Sequence, residues 1–383
     1  MSTGIRSQGK WETLPYPADR QALYEQRKMD DDSMPTEKKG KQTGVARMSD
    51  VAKLARVGLS TVSRAFTEPH RVSRDTLERI ERAVAKLNYV PNVSAQTLRA
   101  HQTGRVLVMI PEIGNSFFGP IMDGIEEVAQ EANLVVLLGD SRRGAINGKG
   151  YTNLSYMTQL AAGRADALIL LDGSMPIIKA PGESGRTPVV AVSEESFSEF
   201  VPYVGIDNRK AVFEITMYLG ELGHRRFYHL GGRDGSTTAN AREAGFRDAM
   251  VALGVPETDY VIERSTFTAS SGPEVVRRML NMASRPTGVF CSNDDLAMVV
   301  IHELRNAGVE VPTDMSVVGI DDLQVSRLLN PALTTIRQPR YEMGRIGMQK
   351  IVEQLEGDES APRNEILPHQ LIVRNSAARP KTS

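Results

Sequence analysis

The chain has 383 residues, room for two or three domains, and its 40% apolar and 24% charged content is that of a globular protein. No apolar run approaches the roughly 18 residues of a membrane span, no apolar core near the N-terminus suggests a secretory leader, and one cysteine, Cys291, excludes an internal disulfide and fits a reducing cytoplasm. The net charge of −1 is unevenly spread: residues 44–105 hold eleven Lys/Arg against five Asp/Glu, a net of +6, whereas residues 106–383 hold 27 against 35, a net of −8. A basic module on an acidic body suggests a nucleic-acid contact confined to one end.

In chain order, residues 1–45 carry Pro, Gly, Lys and Asp runs ("KMDDDSMPTEKKGKQTG") without a sustained period, and a disordered extension is expected. From Met48 the pattern turns helical. Val51, Leu54 and Ala55 make one apolar face, with Asp50 in the first turn, where the helix dipole favours it. "RVG" (56–58) interrupts, and "LSTVSRAF" resumes with Val62 and Phe66 spaced by four. Ser73 is placed to cap a longer helix carrying Leu77, Ile80, Val84 and Leu87 on one stripe, and Pro91 follows its end. Three short helices, the first two joined by a tight turn, make a small helical domain over 46–90.

Residues 91–104, "PNVSAQTLRAHQTG", are almost wholly polar, with Leu98 in their midst. A segment this short is marginal as an isolated helix, since helices under about 12 residues rarely hold in water. From Arg105 the rhythm becomes that of buried parallel strands: "RVLVMIP", "LVVLLG", "DALILL", "TPVVAV", "RFYHL", "TGVFC" and "MSVVGI". Helical segments such as "GPIMDGIEEVAQEA" (119–132), "AREAGFRDAMVALG" (241–254) and "LAMVVIHELRNAG" (296–308) alternate with them. The fold class is therefore α/β: a doubly wound body, expected as two sheets with a cleft between, behind an N-terminal helical module.

A helix, a short turn and a second helix can set the second in the DNA major groove. The outward positions of "LSTVSRAFT" are Leu59, Ser60, Thr61, Ser63, Arg64 and Thr67. Hydroxyls suit phosphates, and a single Arg can fork onto guanine O6 and N7. The same pattern also fits a helical hairpin with a solvated Ser/Thr face.

"SDVAKLARVGLSTVSRAFTEPHRVSRDTLERIERAVAKLNYVPN" resembles the headpiece of the lactose/galactose repressor family nearly end to end. Downstream, "VLVMIPEIGNSFFGPIMDGIE", "GVFCSNDDLAM", "VPTDMSVVGIDD" and "PALTTIRQPRYEMG" are similar to further landmarks, so the resemblance spans 46 to about 376. It implies a helix-turn-helix headpiece, a hinge helix and a two-subdomain body resembling periplasmic binding proteins. The implied boundaries are 1–45 extension, 46–90 headpiece, 91–104 hinge and 105–376 body, with 377–383 as tail. Within the body, subdomain one spans 105–204 plus 339–363, and subdomain two spans 205–338 plus 364–376.

Carried over residue by residue, the resemblance makes Leu59, Ser60 and Arg64 base-reading, and Thr61, Ser63 and Arg56 phosphate-contacting. The usual Gly-Val-Ser turn appears here as Arg56-Val57-Gly58. Leu98 matches the apolar wedge of the hinge helix, which enters the minor groove and partly unstacks a base step, and small Ala95 lets two hinge helices approach. Phe117, Phe118, Arg242, Phe267, Asp294 and Asp321 match effector-pocket positions. The helix "RYEMGRIGMQKIVEQL" (340–355) matches the dimer surface. "RYEMGR", "STFTASSG" and "PEIGNSFF" look like the cytidine-repressor branch, so a nucleoside effector is expected, with a sugar as the alternative.

Enzyme signatures fail one by one. "GDSRR" and "GNSFF" break G-x-S-x-G, "HELRN" lacks the second His of H-E-x-x-H, "GAINGKG" is not a P-loop, and "GGRDGS" has its glycines out of dinucleotide-loop order. No catalytic residue, no metal and no cofactor is expected. The expected protein is a transcriptional regulator, a repressor in the first reading. It acts as a homodimer or dimer of dimers on a near-palindromic double-stranded operator, with no membrane partner. The rival reading is a ligand-binding protein of the same body fold without DNA function.

Overall fold

The computed structural model describes residues 46–89, 103–141, 163–175, 187–196, 198, 200–264, 272–357 and 364–381. Residues 1–45 and 90–102 lie outside them, as do Ala95, Leu98 and Phe267. The chain divides into two compact units between Val93 and Ser94.

The first unit contains α1 (Met48–Ala55), α2 (Leu59–Thr67) and α3 (Arg74–Leu87). At the start of α1, Asp50 accepts from the backbone N–H of Arg47 at 2.9 Å. Val51, Ala55, Val62, Ile80, Ala83 and Tyr89 make the core, with Phe66 and Leu77 packed against it. Leu54, read from the sequence as part of the apolar face, instead lies outside it at 42% exposure, and Ala52 takes the inward position. Ser73 sits at the N-cap of α3, but its hydroxyl donates to Thr76 Oγ1 (2.9 Å) instead of capping a backbone N–H. Both α1 and α3 end in a left-handed residue, Arg56 (φ 57°) and Asn88 (φ 47°). Each is followed by a bond closing the last turn, Val57 N–H to Ala52 O and Tyr89 N–H to Val84 O.

The second unit opens with β1 (Arg105–Ile110), α4 (Gly119–Glu131), β2 (Val135–Asp140), β3 (Ala167–Leu170), β4 (Val189–Val192) and β5 (Tyr203–Ile206). Next come α5 (Asn208–Glu221), β6 (Phe227–Gly231), α6 (Thr237–Ala252), β7 (Tyr260–Arg264), α7 (Gly272–Leu280), β8 (Gly288–Cys291), α8 (Asp294–Asn306), β9 (Ser316–Val318) and β10 (Thr335–Arg337). The chain finishes with α9 (Arg340–Glu356), β11 (Asn364–Leu367) and β12 (Gln370–Ile372). Two parallel sheets result, in the orders β11-β5-β4-β3-β1-β2 and β7-β6-β8-β9, and β10 pairs antiparallel with β12.

In lobe one, α4 and α9 cover one sheet face through Ile121, Ile125, Met343, Met348 and Ile351. Their crossing is close enough to demand glycine: a Cβ on Gly124 would stand 2.2 Å from Tyr341 O, and one on Gly344 2.0 Å from Ile121 O. One stripe of α9, the helix matched to a dimer surface, is thus taken up by its own lobe. Strand β2, read as buried, is an edge strand with Val135 and Leu138 about half exposed. In lobe two, α5 and α6 pack one face around Phe227, Phe246 and Phe290, and α7 and α8 pack the other around Val276, Met279, Val300 and Leu304.

The sequence placed the change of lobe at residue 205 and gave all of 364–376 to lobe two. Strand β5 instead completes the first sheet through Ile206, and β11 then pairs beside it, Asn364 opposite Tyr203. The lobes therefore exchange chain after Ile206, after Arg337 and after Leu367. Each sheet has a point where strand order reverses, between β1 and β3 and between β6 and β8. The loops leaving those strand ends are where open α/β sheets hold ligands.

Candidate functional site

The first unit presents the N-terminal part of α2. Gly58 precedes the helix in extended conformation, φ −71°, so the glycine displaced from the usual turn position needs no left-handed backbone. Arg56 takes that left-handed place, a conformation costing about 1–2 kcal/mol for a residue with a Cβ. Leu59, Ser60 and Arg64 are exposed, while Thr61 and Ser63 are half-buried. Arg71, Arg74 and Arg79 each lie within ion-pair reach of Glu68, Glu78 and Asp75 respectively. Arg56 and Arg64 make no ion pair among the described residues, which leaves their charge available to an anion.

In the second unit a cleft of about 480 Å³ opens between the lobes, within the size range of small-molecule sites. From lobe one it is lined by the loop after β1, including Phe117 and Phe118, and by Glu194 after β4. From lobe two come Arg233, Ser236 and Thr238 around the start of α6, then Arg242, Asn293, Asp295 and Asp321. The rings of Phe117 and Phe118 meet edge to face at 5.1 Å, and Asn115 Oδ1 accepts from Phe117 N–H at 2.8 Å to hold the loop. Arg340 lies over the Phe117 ring, 5.5 Å from its centroid, and donates to Phe117 O at 3.1 Å and Asp322 O at 3.2 Å. Phe117 and Phe118 also join the lobe-one core together with Leu323 of lobe two, so they serve cleft and packing at once.

Arg242 is buried on α6; its Nε donates to Asn208 Oδ1 at 2.9 Å and a terminal nitrogen donates to Ser292 O. Burial lowers its proton affinity, opposed above all by the charge of Asp321. Asp321, 5% exposed, sits in left-handed backbone (φ 142°) and accepts from Gln338 Nε2 at 2.8 Å. Burial pushes its carboxyl up to about 8, with Asp294 adding to the rise and Arg242 opposing it. Near neutral pH the group is therefore largely a protonated acid, a donor as well as an acceptor. Asp295 is also raised, by burial first and by Glu112 of the opposite lobe second.

Of the residues expected in the pocket, Phe117, Phe118, Arg242 and Asp321 converge on this cleft. Asp294 does not. It is fully buried behind the wall and accepts from Leu323 N–H (2.9 Å), Ser326 Oγ (2.5 Å) and Thr335 Oγ1 (2.6 Å). Its place in the first turn of α8 turns the carboxylate toward the loop after β9, while its neighbours Asn293 and Asp295 line the cleft. Phe267 lies outside the described residues, as do Ala95 and Leu98. The sequence reading missed Glu194, Arg233, Ser236, Asn293 and Asp295. All lie in strand-end loops or in the first turn after one, which is the signal that would have found them.

Residues 47–92 match the model of the bacterial regulatory proteins, lacI family, and residues 216–377 match that of the periplasmic binding protein-like domain. The chain is 32% identical over 337 residues to the HTH-type transcriptional repressor CytR of Escherichia coli K12, covering 88% of this chain and 97% of that one. Among solved structures it resembles the lac repressor dimer bound to operator and the anti-inducer ONPF, with TM-score 0.75 and 26% identity over 88% of this chain and all of the other. The transcriptional regulator CelR–cellobiose complex matches with TM-score 0.65 and 29% identity, over 87% of this chain and all of the other.

Proposed function

The chain belongs to the lacI family of bacterial regulatory proteins, and from that premise we propose that it is an operator-binding transcriptional repressor whose DNA affinity is set by a nucleoside or sugar in the cleft. The observation that carries this reading is the pairing, in one chain, of an exposed Leu59–Arg64 helix face with a buried polar cleft lined by Phe117, Arg242 and Asp321. Working as a homodimer or dimer of dimers, the protein would read a near-palindrome, because two-fold symmetry in the protein is mirrored in the site. No helix among the described residues is long and apolar enough to cross a membrane, and we assign the protein to the cytoplasm.

In this reading Arg64 forks onto a guanine, Ser60 hydrogen-bonds a base edge and Leu59 meets a thymine methyl. Thr61, Ser63 and Arg56 hold phosphates, while Leu98 and Ala95 act at the centre of the site. In the cleft, a ring face of the effector lies against Phe117 or Phe118, and vicinal hydroxyls are shared between Arg242 and Asp321. Both sugars and nucleosides carry such hydroxyls. Asp294 supports the wall from behind.

Effector acts by preferring one arrangement of the lobes, and it can shift operator affinity only by its differential affinity for the two arrangements, typically 1–3 kcal/mol. The test is selection from random duplex DNA by the full-length protein at moderate salt, with and without a mixture of nucleosides and sugars. An enriched inverted repeat whose recovery changes with the mixture is the expected result. No enrichment in either condition overturns the DNA-binding reading.

A further inference from the structure

One side of the cleft is already closed by the protein's own side chains. Arg233, in the loop after β6 of lobe two, donates to Asp172 Oδ1 at 2.8 Å and to Ser174 Oγ at 3.1 Å, both after β3 of lobe one. The same guanidinium stands 3.6 Å from Glu194 Oε2, after β4. Ser236 Oγ donates to Glu194 Oε1 at 2.5 Å, and Thr237 Oγ1 donates to Glu195 O at 2.7 Å. Six side chains and one carbonyl thus join the start of α6 to the ends of β3 and β4. The cluster is sheltered: the Asp172 side chain is 5% exposed, Glu194 12% and Arg233 26%.

Asp172 is built to hold that contact. Ser141 Oγ donates to its other oxygen at 2.6 Å, and Ser174 donates from both its hydroxyl and its backbone N–H. Burial alone would raise the carboxyl, but the donors from Ser141 and Ser174 and the charge of Arg233 outweigh it and keep the group below its ordinary value. The carboxylate is therefore ionised and oriented by lobe one, and the cation it receives comes from lobe two. Across the cleft the situation is reversed, because Asp295 of lobe two feels Glu112 of lobe one as a like charge.

We propose that Arg233, seated on Asp172 and Glu194 of the opposite lobe, is a positioning residue that holds the effector cleft closed without ligand and so sets how far effector can change operator binding. This rests on the effector-responsive reading above. By closing the cleft, Arg233 raises the population of the binding-competent form and brings apparent affinity toward intrinsic affinity. It also leaves ligand little population to move. Releasing Arg233 shifts the free protein toward open lobes, which weakens effector binding and enlarges the effect of bound effector on operator affinity. Damage to the pocket would instead reduce both.

The test uses the full-length protein as wild type, Arg233→Ala, Arg233→Lys and Asp172→Asn, the last keeping side-chain shape should Arg233→Ala fail to fold. Amide exchange is measured first, without ligand. Residues 172–175 and 236–240 are expected to exchange several-fold faster in Asp172→Asn and Arg233→Ala, with β1 and β6 unchanged and Arg233→Lys partly restored. Unchanged exchange in those two segments, or loosening spread equally through β1 and β6, overturns the proposal. Titration with cytidine and ribose, followed by thermal shift and operator binding, is expected to show about tenfold weaker ligand binding and a larger ligand effect in Asp172→Asn. A smaller ligand effect overturns it. If neither probe binds any form, the nucleoside-or-sugar reading falls, and the exchange measurement still decides whether Arg233 holds the lobes.

Discussion

The two candidate sites are built in opposite ways. On α2 the side chains assigned to base edges, Leu59, Ser60 and Arg64, stand exposed, and neither Arg64 nor Arg56 in the preceding turn has an ion-pair partner among the described residues. Around the cleft, Arg242 and Asp321 in its wall and Asp294 behind that wall are buried and hydrogen-bonded to Asn208, Ser292, Ser326, Thr335 and Gln338. An exposed reading face can change one residue at a time without cost to the fold. A buried cleft couples recognition to stability, since each polar group there is also someone else's partner.

The largest effect should come from Asp294→Ala. It strips the acceptor from Leu323 N–H, Ser326 Oγ and Thr335 Oγ1 inside the protein. Leaving buried donors unpaired costs about 1–3 kcal/mol each, so calorimetry should show Tm falling by roughly 10 °C at about 2–4 °C per kcal/mol. Asp321 is next, and its effect depends on pH. The folded chain holds its proton up to about pH 8, whereas an unfolded Asp releases it near pH 4. Stability is then full below about pH 4 and is lost as pH rises from there through about 8. Asp321→Asn, always neutral, should flatten that decline and raise Tm at pH 9 more than at pH 5. A slope equal to wild type would mean that the carboxyl ionises freely in the fold.

On the exposed side, Arg64→Ala should weaken operator binding by about 1–3 kcal/mol, or some 10- to 100-fold. Anisotropy titration against specific and scrambled duplexes checks this, with the loss confined to the specific one. Its Tm should stay within about 0.5 kcal/mol of wild type in stability terms. A Tm shift as large as that of Asp294→Ala would erase the contrast between the two sites.

The same contrast explains what could be read from the sequence. Helix α2 was legible because its apolar positions, Val62 and Phe66, recur at helical spacing and its neighbours are local. Strands β1, β3, β6 and β8 were legible as buried apolar runs. Helix α5 was not: Ala211, Val212, Ile215, Thr216, Leu219 and Gly220 make a buried stripe at helical spacing, but the half-buried Phe213, Met217 and Tyr218 beside it blur the contrast between faces. The cleft residues Phe117, Phe118, Arg242 and Asp321 were reached through the family resemblance and not through any local pattern. Asp294 and Asp295 are adjacent acids in one helical turn, and only the tertiary course of the loop after β9 sends one into the wall and the other to the cleft. The cluster around Arg233 draws on loops some 60 residues apart in sequence, a distance over which no local pattern runs.

The smallest effect concerns the turn between α1 and α2. Arg56 occupies a left-handed position where glycine bears no steric cost. Its backbone N–H and that of Val57 close the helix end on Lys53 O and Ala52 O, bonds that glycine would keep. Arg56→Gly should therefore stabilise the first unit, by about 0.5–1 kcal/mol once the greater freedom of glycine in the unfolded chain is set against relief of the Cβ strain. If the guanidinium also meets a phosphate, the same change should lower affinity for specific and scrambled duplexes alike and reduce the salt slope by about 1. A gain in stability with unaltered salt dependence would place Arg56 off the DNA and leave the strained turn without a binding role. A loss of stability would mean that the arginine side chain contributes more to the folded unit than the left-handed backbone costs.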